Sequence, residues 1–211
     1  FSLFYSRRLK EIDRFEQYPA EIQQNTFCNL VRTASNTEWG KNYEFPSVKS
    51  VKDFRERLPL QTYDDLLPYV ERLGNGEQDL LWPGKIKWFA RSSGTTSTKS
   101  KFIPMSHEAL FDTQYRAVKD ILAIYFRNNP SSRIFHGKAL TLGGSHRIDQ
   151  FGSKALCGDL SAIMIENTPF YAEIVRTPGK KIALKDDFEK KLELITKSTI
   201  GQNVTNFSGT P

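Results

Sequence analysis

The sequence predicts an α/β fold, with a helical N-terminus followed by β/α layers. Three observations carry that expectation. The N-terminal third holds helix-period apolar residues and two capping signatures. Beyond residue 76, short apolar runs bounded by Gly and Pro alternate with amphipathic stretches. The composition also permits a packed core: of 211 residues, 38% are hydrophobic, 12% aromatic and 26% charged, so a disordered chain is not expected.

Taken in order, the elements justify that reading. In the stretch 20–35, Phe27, Leu30, Val31 and Ala34 fall on one helical face. Ser50-Val51-Lys52-Asp53 reads as a capping box, with the shorter Asp in place of Glu, and Thr62-Tyr63-Asp64-Asp65 repeats it. Pro68 is expected to interrupt or restart the second of these helices, whose Leu67, Val70 and Leu73 face inward. Gly74-Asn75-Gly76 and Trp82-Pro83-Gly84 are turn signals. Ile86 to Arg91 is a strand candidate, Ser92 to Ser100 a polar loop, and Lys101 to Pro104 a short return strand. Ser106 caps a helix whose apolar stripe is Leu110, Phe111, Tyr115, Val118, Ile121, Leu122, Tyr125 and Phe126. Lys138 to Leu142 and Leu160 to Ile165 read as buried strands. Gly143-Gly144-Ser145-His146 reads as a plain turn at a strand end. A last amphipathic helix uses Leu184, Phe188, Leu192 and Ile195, Gly201 ends it, and Val204 to Phe207 begins another strand. The expected organisation is a helical region over 1–75 and an α/β region over 76–211, with the polar loop at 91–101.

Several functional classes are disfavoured. There is no apolar run long enough to cross a membrane and no visible signal peptide, so a cytoplasmic protein is expected. The net charge of +6 invites a nucleic-acid reading. However, the basic residues are interleaved with acids, as in Lys185-Asp186-Asp187-Phe188-Glu189-Lys190-Lys191, the pattern of a solvated helix face. Cys28 and Cys157 form no CxxC pair, and with His107, His136 and His146 they give no metal-ligand spacing. Each is expected to be a buried free thiol in a reducing compartment.

The chemistry is concentrated in Arg91-Ser92-Ser93-Gly94-Thr95-Thr96-Ser97-Thr98-Lys99-Ser100-Lys101, where seven residues carry a hydroxyl. Gly94 lets the backbone turn tightly against a ligand. Backbone N–H groups and hydroxyls can donate to phosphate oxygens while a lysine supplies countercharge. A Walker-type loop needs a second Gly and a helix directly after it. Here Phe102-Ile103-Pro104 follows, and Pro104 keeps a helix from starting there. The loop therefore joins two strands.

Ser92-Ser93-Gly94-Thr95-Thr96, followed by Lys101 and Pro104, resembles the ATP-phosphate loop of the adenylate-forming superfamily, which includes luciferase and the acyl-CoA synthetases. With Pro59 to Tyr69, Asn75-Gly76-Glu77 and Leu81-Trp82-Pro83-Gly84, the chain is similar to the auxin-responsive (acyl-acid amido synthetase) family of plants and its bacterial relatives. The likeness is strongest from Thr37 to Leu110. The family carries a Gly two or three residues after the loop's second Thr or Ser. Ser97 and Thr98 occupy that region here, a Gly-poor loop of the bacterial type.

The resemblance implies the N-terminal part of the large domain of an adenylate-forming enzyme, and the chain is expected to be a fragment of a longer reading frame. It implies a ligase that uses Mg-ATP to activate a carboxylic acid as an acyl-adenylate and passes the acyl group to an amino acid. An acyl-CoA ligase and a non-catalytic binding remnant are the alternatives. Ser92, Ser93, Thr95, Thr96 and Ser97 would donate to the triphosphate, Gly94 would permit close approach, and Lys101, with Lys99 as rival, would supply charge. Tyr115 and Arg116 could touch the acid's carboxylate, and Phe207 could wall the acyl site. No general base is identified. The metal ligand and the mobile C-terminal domain are expected beyond Pro211. Nucleic acid and membrane are not expected partners.

Overall fold

A computed structural model describes residues 2–92, 100–144 and 149–209. The fold is mixed α/β, as expected. The chain forms two compact units. One comprises Phe1–Lys87, Pro104–Pro130 and Gly152–Ala155; the other comprises Trp88–Ile103, Ser131–Phe151 and Leu156–Pro211.

The first unit is helical. It contains α1 (Ser2–Gln17), α2 (Pro19–Ala34), α3 (Glu38–Asn42), a 3-10 turn at Phe45–Ser47, α4 (Val51–Arg57) and α5 (Tyr63–Gly74). Pro19 stands at the start of α2, where its missing N–H removes no helical bond. Val31, Ala34, Phe45 and Val48 form a buried cluster against which Phe27, Trp39, Phe54 and Trp82 pack. Leu30, expected on that face, is 52% exposed, and Cys28, expected to be buried, is exposed. The buried edge of α2 is set by its contact with the 3-10 turn, so neighbouring positions of the helix stay in solvent.

Both capping boxes form. Ser50 accepts from the Asp53 N–H while Asp53 accepts from the Ser50 N–H, and Thr62 and Asp65 do the same at α5. Pro68 does not interrupt α5, which runs unbroken from Tyr63 to Gly74. The bond forfeited is the one to the carbonyl of Asp64. Both residues are exposed, so water can satisfy that carbonyl. Val70 and Leu73 are buried, as expected.

Ser106 does cap the next helix, with its Oγ accepting from the Ala109 N–H at 3.0 Å. The helix then winds as a π-helix over Ala109–Tyr115 before continuing as α6 (Arg116–Asn128). This splits the expected apolar stripe. Leu110 and Ala123 are buried, but Val118, Ile121 and Tyr125 are exposed. Wider π turns rotate everything downstream relative to a 3.6-residue period. The face that meets α1 therefore carries Asp120, Phe126 and Arg127. Arg8 grips Asp120 with Nε and Nη2 at 2.6 and 2.7 Å, Arg127 reaches Asp13 at 2.6 Å, and Tyr5 stacks on Phe126.

The second unit holds two small sheets. One has the order β2–β1–β5–β4, formed by β1 (Trp88–Arg91), β2 (Phe102–Met105), β4 (Asp149–Phe151) and β5 (Ala155–Gly158). The other has the order β6–β3–β7, formed by β3 (Lys138–Leu142), β6 (Arg176–Thr177) and β7 (Val204–Gly209). β1 pairs with β5 in parallel, and β3 pairs in parallel with both of its neighbours. Leu160 to Ile165, expected to be a strand, is instead helix α7 (Leu160–Glu166). It buries Ala162, Ile163 and Ile165 and packs on β1. A short apolar run fits a buried strand and a buried helix equally well; here Ala155–Gly158, just before it, takes the place beside β1. Two four-residue helices follow, α8 (Phe170–Glu173) and α9 (Lys180–Ala183), and then α10 (Phe188–Thr199). The stripe expected for α10 holds only in part. Ile195 is buried, Leu184 is buried outside the helix, and Phe188 and Leu192 are exposed. Lys191, expected on a solvated face, is buried beside Ile195.

Candidate functional site

The strands flanking the hydroxyl-rich loop position its ends. β1 is anchored by Phe89, which is fully buried and packs on Phe151 at 4.9 Å; Phe102 of β2 stacks on the same ring at 4.3 Å. Where the strands open, the Ser92 N–H donates to the Lys101 carbonyl at 2.9 Å. In return, the Lys101 N–H donates to Ser92 Oγ at 3.2 Å. Ser92 and Lys101 are thus drawn together at the loop's base. The other loop candidates, Ser93, Gly94, Thr95, Thr96 and Ser97, with Lys99, lie outside the described residues. His146 does as well.

Phe207 lies on β7, opposite Leu140 of β3, and is 62% exposed. Tyr115 and Arg116 belong to the first unit. Tyr115 ends the π-helical segment, is partly buried and packs against Phe111 at 5.2 Å. Arg116 is exposed and lines a cleft of about 890 Å³ with Thr26, Leu30, Trp82, Ser106 and Asp112. In that cleft Trp82 Nε1 donates to Glu108 at 3.0 Å. The Glu108 carboxyl is held below the usual carboxylate range by its own backbone N–H, then by Ser106 and Trp82, against the opposing effect of burial. The cleft is therefore lined by a stably ionised acid, Glu108, as well as by the Arg116 guanidinium.

One polar cluster was not anticipated from the sequence. Lys191 Nζ donates to the Gly143 carbonyl at 2.7 Å and lies 3.4 Å from that of Gly144. The Gly144 N–H donates to Ser161 Oγ at 2.9 Å. Burial pushes the Lys191 ammonium below its ordinary value, with Asp186 acting the other way. The available signal was periodicity: Lys191 stands four residues before buried Ile195, on the same face of α10. Gly143-Gly144 is therefore a braced segment rather than a plain turn. Among the described residues, no group of three or more His, Cys, Asp or Glu could hold a metal ion.

Comparison with known proteins places this geometry. The profile of the GH3 family N-terminal domain matches residues 8–208. An indole-3-acetic acid-amido synthetase of Arabidopsis thaliana is 30% identical over 122 residues, covering 56% of this chain and 22% of that protein. A jasmonoyl–L-amino acid synthetase of Nicotiana attenuata is 30% identical over 195 residues, covering 87% of this chain and 32% of its own length. A solved acyl acid amido synthetase superposes with a TM-score of 0.72 at 18% identity, over 87% of this chain and 32% of the other. A second, in complex with 2,4-DB, gives 0.68 at 19% identity, over 82% and 30%. The chain thus spans about a third or less of the relatives it matches. Through its N-terminal domain, this chain belongs to the GH3 family.

Proposed function

We propose that this chain supplies the ATP-phosphate loop of an acyl-acid amido synthetase, a ligase that activates a carboxylic acid and conjugates it to an amino acid. The observation that carries the reading is the strand–loop–strand setting closed by the Ser92–Lys101 pair, in a chain of this family. A carboxylate oxygen of the acid attacks the α-phosphorus of ATP, the bond to the bridging oxygen breaks, and pyrophosphate leaves. The amine nitrogen of the acceptor then attacks the acyl carbon, loses a proton and displaces AMP. Negative charge builds on the phosphate oxygens during the first step, so preorganised donors at the loop lower its barrier. Ser92, Ser93, Thr95, Thr96 and Ser97 are the donors, Gly94 admits the phosphate chain, and Lys101 supplies charge. Arg116 and Tyr115 are candidates for the acid's carboxylate, and Phe207 for the apolar wall. Mg²⁺ would accompany the ATP. The Gly-poor loop supports a bacterial-type member, and two free cysteines fit a cytoplasmic location.

The test is pyrophosphate exchange. The complete gene product is incubated with ATP, labelled pyrophosphate and a panel of acyl acids. Label should enter ATP only when the right acid is present, and Lys101→Met should slow exchange by at least about tenfold, as loss of a charge-stabilising donor does. Adding amino acids or CoA then identifies the acceptor. A folded protein that binds ATP but exchanges no label with any acid would overturn the reading.

A further inference from the structure

We infer that Lys191 is a positioning residue that fixes the Gly143–Gly144 exit of β3 level with the end of β7, and so shapes the wall against which the acyl acid lies. This rests on the adenylation reading above.

The burial of this lysine is unusual. Lys191 is only 3% exposed, and lysine is rarely buried to that degree. Its ammonium is spent on main-chain carbonyls, at 2.7 Å from Gly143 and 3.4 Å from Gly144. A buried cation needs such partners to offset its lost hydration, so the contact is geometrically demanding. It therefore holds the segment in one place.

The same segment is held from its other side. Ser161, in the first turn of α7, accepts from the Gly144 N–H at 2.9 Å. Side chains of α7 and its cap also crowd the two glycines, so that an added Cβ would have to push side-chain ends aside. A Cβ on Gly143 would stand 2.1 Å from Ile165 Cδ1, and one on Gly144 would stand 2.7 Å from Asp159 Oδ2. The strand exit is thus pinned between α7 and α10, with main chain rather than side chains forming its surface.

Its place in the sheet gives the pinning a purpose. Leu142, the last residue of β3, is level with Gly209, the last residue of β7. Thr141 and Ser208 meet through their hydroxyls at 3.3 Å just before that point. In parallel α/β sheets, ligands gather at the carboxyl ends of the strands, and Gly143 directly extends one of these ends. Phe207, the proposed acid-wall residue, stands two residues before Gly209. A shift of the β3 exit would therefore reach the acid's wall through one pair of neighbouring strands.

The test uses the complete gene product and separates acid from ATP. Lys191→Met, Lys191→Arg and Ser161→Ala are compared with the parent for half-saturation by acid and by ATP in pyrophosphate exchange. Lys191→Met and Ser161→Ala should each raise acid half-saturation about tenfold, since small misplacements in a site are costly, and leave ATP half-saturation within about twofold. Lys191→Arg, which keeps donors for the carbonyls, should recover part of the loss. If Lys191→Met does not fold, Ser161→Ala carries the comparison alone. Unchanged acid half-saturation in a folded variant, or equal shifts for acid and ATP, would overturn the inference. If the parent shows no acid-dependent exchange, the adenylation reading falls instead. Amide hydrogen exchange then judges the brace: protection of Gly144 that is lost in Lys191→Met supports it, and no protection in the parent refutes it.

Discussion

At the scale of single residues, Gly40 and Thr37 show how tightly the helical unit is assembled. Thr37 is fully buried; its hydroxyl donates to the Ala34 carbonyl at 2.7 Å and accepts from the Gly40 N–H at 3.0 Å. A Cβ on Gly40 would stand 2.1 Å from the Ala34 carbonyl oxygen, a backbone atom that cannot swing away. Gly40→Ala should therefore cost about 1–3 kcal/mol, as overpacked sites do. Thermal unfolding should show it as a fall in Tm of roughly 2–4 °C per kcal/mol for a chain of this size. An unchanged Tm would mean that α2 and α3 can separate at that point. None of this is visible in the sequence, where Gly40 is one glycine among thirteen.

At the scale of elements, the two capping boxes were fully legible because they are local. Ser50→Ala should cost about 1 kcal/mol, measured by denaturant unfolding at neutral pH. The acid partners add a pH dependence whose sign follows from their surroundings. The Lys49 backbone N–H and the Ser50 hydroxyl hold the Asp53 carboxyl below its ordinary value of 3.8. The Thr62 hydroxyl and N–H do the same for Asp65. A carboxyl lowered by folding adds stability that is complete above the unfolded value and lost as pH falls through the folded one. Asp53→Asn should thus be less stable than the parent at neutral pH, and the gap should shrink as pH falls below the ordinary carboxyl value of 3.8 and through the lowered folded one. A gap independent of pH would remove the charge from the explanation. Other elements were misread for physical reasons. The run 160–165 lacks a period long enough to separate strand from helix. The π-helical turns of 109–115 re-aim α6 without any mark in the residues themselves.

At the scale of the molecule, apolar surface is the conspicuous property. Phe170, Tyr171 and Ile174 are 82%, 59% and 57% exposed and lie close together in sequence, in a unit where β7 is an edge strand among the described residues. Clustered apolar exposure of this kind promotes association. The double variant Phe170→Ser with Ile174→Ser should raise the soluble yield of this 211-residue span and shift its elution toward the monomer in size-exclusion chromatography. An unchanged elution profile would place the association elsewhere, for example along the β7 edge. No helix among the described residues is long and apolar enough to cross a membrane.

The sequence by itself determined what depends on neighbours along the chain. That includes the caps at Ser50 and Thr62, the turns at Gly76 and Gly84, the β1–loop–β2 arrangement around Ser92 to Lys101, and the family likeness carried by that loop. The tertiary structure decided what depends on partners far away in sequence. It made 160–165 a helix by filling the place beside β1 with Ala155–Gly158. It turned Val118 and Ile121 outward through the π-helical turns. It also buried Lys191 against Gly143, a residue 48 positions away. Caps and turns are satisfied within a few residues, so their chemistry is written locally. Burial of a charge or of an apolar face is settled only when distant segments compete for the same contact.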